Sequence, residues 1–201
     1  GLGNKFLDHI RKVNAILHVV RCFSDENVTH VSGKVSPKND VEIIELELIL
    51  SDMDQVDKRL QNLSKKKKSG DKEAVELSAI LEKVFEILKA GKPASAAGLS
   101  AEEKDAIKDL ALLSLKPVLF IGNIDEALLA TPEKSPEFVE LMQVAKERGA
   151  QAISLSGKIE AELGQLSPEE EKEFLKDLGL TEPGLNRVIR EAYKLLGYIT
   201  F

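Results

Sequence analysis

The chain has 201 residues, and its 43% hydrophobic content is enough for one large core or for a domain carrying an insertion. Aromatic residues make up only 4% and there is no Trp, which excludes a broad aromatic platform for stacking single-stranded nucleic acid. The net charge of -6 requires any phosphate-binding surface to be local, and the single cysteine excludes an internal disulfide and fits a reducing, cytoplasmic setting.

The N-terminal stretch around His9 is polar and helical, so His9 reads as a surface residue. Residues 14–23 are short, apolar and rich in β-branched side chains, which predicts a buried strand. Within it His18 reads as a satisfied core histidine and Cys22 as a small buried residue. A polar loop follows, with Asp25, Asn27, Gly33, Pro37 and Asn39. His30 lies in this loop, past the carboxyl end of the strand, where an imidazole can orient or activate a water.

The pattern then changes. Leu46, Ile49, Met53, Val56, Leu60 and Leu63 recur at alternating spacings of three and four, as do Ala74, Leu77, Leu81, Val84 and Leu88. These are heptad seams, and they predict two antiparallel helices forming a coiled-coil arm over residues 41–97, about 30 Å long at 1.5 Å per residue. The polar stretch from Ser64 to Asp71 between them reads as a turn-forming tip that includes Lys65, Lys66, Lys67 and Lys68. From Lys58 to Glu73 there are seven basic and two acidic residues, so the tip is locally positive in an acidic chain. That charge fits contact with RNA phosphate; a solvated helical tip fits the same composition.

Gly91-Lys92-Pro93 ends the return helix, and Ser100 with Glu103 forms a capping box for a further helix. Residues 117–121 and 150–155 predict two more buried strands. Ser135-Pro136 starts a helix that Gly149 ends, Ser167-Pro168 with Glu170 starts another that Gly179 closes, and a last helix runs from about Gly184 to Leu196. Strands alternating with helices at this spacing predict an α/β fold with a mostly parallel sheet. Residues 1–40 and 98–201 read as two parts of that domain, interrupted by the arm. The most apolar stretch, Leu110 to Gly122, is broken by Ser114, Lys116 and Pro117 and is too short to span a bilayer, so no membrane partner is expected.

Two turns carry the candidate chemistry. Asn123-Ile124-Asp125-Glu126 stands at the carboxyl end of a predicted strand, where open α/β sheets place ligands. An Asn side chain offers a donor and an acceptor to a purine edge. GTP-binding proteins use Asn-Lys-x-Asp, whose Asp accepts from guanine; here Ile124 and Glu126 stand at the Lys and Asp positions. Adenine offers no 2-amino group or N1–H to such a carboxylate, so the pattern leans towards ATP, although by itself it also describes a capping turn. Ser154-Leu155-Ser156-Gly157 closes the next strand, and its small residues let backbone amides approach a base. No histidine pair has metal-site spacing, so no metal ligand is assigned. No Gly-x4-Gly-Lys-Ser/Thr loop is present to cradle β- and γ-phosphates.

With these features in place, the chain resembles the YchF (Obg-like) ATPase family of translation-factor P-loop NTPases along its whole length. The most specific stretches are Gly1–Leu7, His18–Phe23, Asn27–Val35 and Gly179–Arg190. The resemblance implies a G-domain that prefers ATP to GTP through Asn123 and Glu126, with the next base-binding motif at Ser154–Gly157. It places the family's water-positioning histidine at His30, and it implies an inserted coiled-coil arm, Mg²⁺ as cofactor and binding to ribosomes, with no DNA specificity. Gly1 aligns just after the family's Asp-x-x-Gly motif. The phosphate-binding loop and magnesium ligands are therefore expected before residue 1 and a TGS domain after Phe201, and the 201-residue stretch alone is expected not to hydrolyse ATP. The competing readings are a GTP-binding protein and a non-catalytic RNA- or ribosome-binding module that uses the basic tip.

Overall fold

The computed structural model describes residues 3–24 and 35–198. His30 lies outside the described residues. In chain order the principal elements are α1 (Asn4–Arg11), β1 (Ile16–Cys22), α2 (Pro37–Lys68), α3 (Lys72–Lys89), α4 (Ala101–Ala106), β2 (Val118–Ile124), α5 (Pro136–Glu147), β3 (Gln151–Leu155), α6 (Gly157–Leu163), α7 (Pro168–Asp177) and α8 (Gly184–Leu195). Short 3-10 turns join several of them. The described parts of residues 1–14 and 42–116 form one compact unit, and those of 15–41 and 117–201 form another.

The second unit is built on a parallel sheet in the order β1-β2-β3. Parallel neighbours need a long crossover, and α5 lies in the connection between β2 and β3. Its start follows from local chemistry: the Ser135 hydroxyl accepts from the Phe138 amide and Pro136 occupies the first turn. Phe138, Leu141 and Val144 of α5 cluster with Phe120, Ile124, Val20 and Cys22 in the main core. Gly122 makes room for this helix, because a Cβ there would stand 2.5 Å from the Phe138 ring. Cys22 is 1% exposed, and burial, with Glu137, Glu140 and Asp40 adding their negative charge, pushes its thiol pKa up to about 12.

β1 departs from the fully buried strand expected of its apolar run. Val20 and Cys22 are in the core, but Leu17 and Val19 are 45% and 61% exposed. Successive side chains of a strand face opposite sides, and only one side of β1 is packed among the described residues. His18 is half-buried rather than enclosed, with its ring 5.6 Å from that of Phe120. His9 is exposed on α1.

In the first unit, α2 and α3 are joined by a turn at Ser69–Asp71 and pack through Ile49, Val56, Leu81, Val84 and Leu88. Leu46, expected on this seam, is 50% exposed. The reason is length: α3 returns for only 18 residues from the turn and ends before it can reach Leu46. The tip also differs from a loop. Lys65–Lys68 are the last turn of α2, where positive side chains complement the helix dipole. Gly70, at φ +79, makes the reversal, and Asp71 caps α3 through the Ala74 amide.

The base of this unit is held by one carboxylate. Asp52 is fully buried on α2 and accepts from the Leu113 amide at 2.8 Å and from the Ser114 amide and hydroxyl, both at 2.7 Å. Arg11 of α1 donates to it at 3.2 Å, and also to the Ser51 hydroxyl and the Ala111 carbonyl. The Ser114 hydroxyl in turn accepts from the Ala94 amide at 2.9 Å. Removing Asp52 takes the carboxylate from the part-buried Arg11 guanidinium and leaves the Leu113 amide and the Ser114 amide and hydroxyl without this acceptor. We expect Asp52→Ala to lower stability by about 3 kcal/mol in urea denaturation, whereas a loss below about 1 kcal/mol would show that the network is not a stabilising centre.

Candidate functional site

The carboxyl ends of β2 and β3 lie side by side in the parallel ladder, and a side-chain contact links β2 to the turn that follows β3. Asn123 stands in register with Leu155 near the end of β2, and its Oδ1 accepts the Gly157 amide at 2.9 Å. That bond fixes the orientation of the carboxamide, since only the oxygen can accept an N–H. The Nδ2 amino group is left to donate elsewhere. A Cβ on Gly157 would meet the Asn123 carboxamide at 3.6–3.9 Å, so the turn lies directly against it.

The other expected residues fall in different places. Ile124 belongs to β2 rather than to the turn after it, and at 2% exposure its side chain is part of the core. It can offer a ligand only its backbone. Ser154 is in register with Gly122, one residue from Asn123, so its buried side chain faces the opposite side of the sheet. Ser156 precedes α6 and is also buried. Asp125 caps the short turn after β2 by accepting from the Ala127 amide, which leaves Glu126 projecting outward. Glu126 pairs with Lys158 at 2.8 Å. The hydrogen bond that Lys158 donates to Glu126 and that carboxylate's charge raise the Lys158 pKa, with smaller contributions from Glu162 and Asp125, so Lys158 remains a cation at neutral pH.

Glu160 and Arg187, to which the sequence pattern gave no role, support the Ser154–Gly157 turn. The Glu160 carboxylate accepts the Gly184 and Leu185 amides at 2.8 and 3.1 Å, fixing the start of α8 against α6. A side chain at position 184 would collide with Glu160 and Leu155, so only glycine fits. Arg187 donates to the Ser154 carbonyl at 2.8 Å, and Arg190 pairs with Glu182 through two bonds, at 2.6 and 3.1 Å. The Gly179–Arg190 stretch is thus a brace for the end of β3. Its partners lie more than twenty residues away, and no local spacing announces them. Among the described residues, no group of three His, Cys, Asp or Glu side chains is placed to hold a metal ion, and no helix is long and apolar enough to cross a membrane.

The basic tip lies in the other unit. Lys65, Lys66 and Lys68 are exposed, while Lys67 is paired with Glu82 at 2.6 Å.

A parallel sheet with an Asn-bearing strand end joined to the next βα turn, in a chain that also carries a long helical hairpin, defines an α/β protein of G-domain type. No family model matches the chain. It is 45% identical over 201 residues to the "Ribosome-binding ATPase YchF" of Bacillus subtilis, covering all of this chain and 55% of that protein, and 44% identical to the protein of the same name from Escherichia coli O157:H7, with 54% of it covered. The solved structure of the Schizosaccharomyces pombe YchF GTPase superposes with a TM-score of 0.86 at 33% identity, covering 98% of this chain and 53% of that one. The chain is similar to these YchF proteins along its whole length and spans about half the length of the curated relatives it matches.

Gly122 sets both the helix–sheet distance and the position of Asn123 beside it. We expect Gly122→Ala to cost about 1–3 kcal/mol by overpacking against Phe138, read as a lowered thermal midpoint; an unchanged midpoint would mean that α5 moves away freely.

Proposed function

We propose that this chain supplies the purine-recognition part of a ribosome-associated nucleotide hydrolase that prefers ATP to GTP. The observation that carries the reading is the bond from the Gly157 amide to Asn123 Oδ1, which leaves Asn123 Nδ2 as a fixed donor. Both purines offer N7 to that donor. Beside N7, adenine presents its 6-amino donor and guanine its O6 acceptor. The second lone pair of Oδ1 suits adenine and opposes guanine. The Ile124 backbone, Glu126, Ser154, Ser156 and Gly157 complete the base site in this reading, with Ser154 acting through the backbone that Arg187 holds.

The relatives named as ribosome-binding ATPases support hydrolysis of ATP to ADP and phosphate as the activity of the full-length protein. Bound Mg²⁺ would neutralise phosphate charge in that reaction. The described residues hold no suitable ligand set for it, so no step is assigned to the metal. His30, which follows β1 in sequence and lies outside the described residues, is proposed to position the attacking water. This sequence contains no phosphate-cradling loop of the Gly-x4-Gly-Lys-Ser/Thr type, so residues 1–201 by themselves are proposed to be inactive.

On the full-length protein, ATP should displace a fluorescent adenine nucleotide at lower concentration than GTP, and Asn123→Ala should weaken both by roughly tenfold. Displacement by GTP but not by ATP would rule the reading out.

The exposed Lys65, Lys66 and Lys68 support the tip as the ribosome contact, through RNA phosphate. Changing Lys65–Lys68 to Ala should weaken co-sedimentation with ribosomes and flatten its salt dependence. Binding that is unchanged across several salt concentrations would exclude the tip as the contact.

A further inference from the structure

The Asn123–Gly157 bond can explain selection at the N7 side of a purine, but guanine also carries two donors, N1–H and the 2-amino group, that an open carboxylate would capture. Glu126 is the carboxylate positioned to do so, three residues after Asn123. It is not open. Lys158, the residue directly after Gly157, holds it at 2.8 Å. The pair therefore bridges the same two turns that the Asn123–Gly157 bond joins, one step further out.

We propose that Lys158 is a specificity-determining residue that disfavours guanine by occupying Glu126. With Lys158 in place, the N1–H and 2-amino donors of guanine must compete with an ammonium for Glu126, whose Oε2 it already holds and whose charge it offsets, and that competition penalises GTP. Adenine presents an acceptor at N1 and no 2-amino group, so the occupied carboxylate costs it nothing. Specificity of this kind comes from removing a favourable contact with the wrong ligand rather than adding one to the right ligand. Both side chains are exposed, at 65% for Lys158 and 43% for Glu126. The effect is correspondingly modest, and substitution of either disturbs no core. Asp125 and Glu162 add further negative charge around Lys158, which favours its ammonium form beside Glu126.

This inference rests on the reading of Asn123 as the base-binding residue, and the test separates the two. Dissociation constants for ATP and GTP are measured on the full-length protein by competition against a fluorescent adenine nucleotide, for the wild type, Asn123→Ala, Lys158→Met, Lys158→Arg and the double variant Lys158→Met/Glu126→Gln. Methionine keeps the aliphatic stem and removes the charge. The expected result is that Lys158→Met shifts the GTP-to-ATP affinity ratio towards GTP by at least about threefold. Lys158→Arg should keep the wild-type ratio, and adding Glu126→Gln should restore it, because the freed carboxylate is then gone. If Asn123→Ala weakens both nucleotides while Lys158→Met leaves the ratio unchanged, the role of Lys158 is overturned and the base site stands. A shift that persists in the double variant also overturns it, since the effect would not then run through Glu126. If Asn123→Ala weakens neither nucleotide, the base-site reading itself fails and the inference falls with it.

Discussion

The candidate site depends on one hydrogen bond. The Gly157 amide, at the first residue of α6, is taken by Asn123 Oδ1 at the end of β2, and that single contact joins two loops separated by 34 positions in sequence. The ladder between β2 and β3 sets the spacing of the strand ends; this bond ties the start of α6 to β2 and orients the carboxamide with its amino group free to donate. The rest of the site is arranged so that the bond can form. Gly122 lets α5 press on the sheet just before Asn123, Arg187 holds the Ser154 carbonyl, and Glu160 ties α8 to α6 below the turn. These supports are charge-assisted or sterically exacting, and contacts of that kind preorganise a turn for recognition.

The helical unit follows a different logic. Its two long helices need little more than an apolar seam, but its base must join α1, α2 and an irregular segment rich in 3-10 turns. Irregular backbone leaves amides unpaired, and Asp52 collects two of them together with a hydroxyl and a guanidinium. A buried carboxylate is costly unless it is fully paired, and here the number of donors meets that cost.

The features legible in the sequence were those determined locally. The capping boxes at Ser100–Glu103 and Ser167–Glu170 and the Ser135 cap form as their spacing predicts. The β-branched runs become three parallel strands, and the three-four spacing puts Ile49, Val56, Leu81, Val84 and Leu88 in one core. Features set by distant partners were hidden. Nothing near Leu46 says that α3 stops short of it, and nothing near Leu17 or Val19 says that their face of β1 is unpacked. Ile124 and Ser154 are expected at the base site, but strand alternation turns their side chains away from the Asn123 face and leaves only their backbones to serve it. Lys158, Glu160 and Arg187 carry no local signature, since each acts on a residue more than twenty positions away. The family resemblance marked the Gly179–Arg190 stretch without its physical reason, which is the brace on β3.

In the proposed base site the Asn123 carboxamide, held by Gly157, faces the purine. The most direct measurement is the side-chain amide resonance of Asn123, assigned by comparison with Asn123→Asp, followed in ¹⁵N–¹H correlation spectra while ATP is titrated into the full-length protein. The account predicts a saturable downfield shift of one Nδ2 proton that tracks occupancy and is larger with ATP than with GTP at equal saturation. An Asn123 resonance that stays in place while ATP demonstrably binds would contradict it.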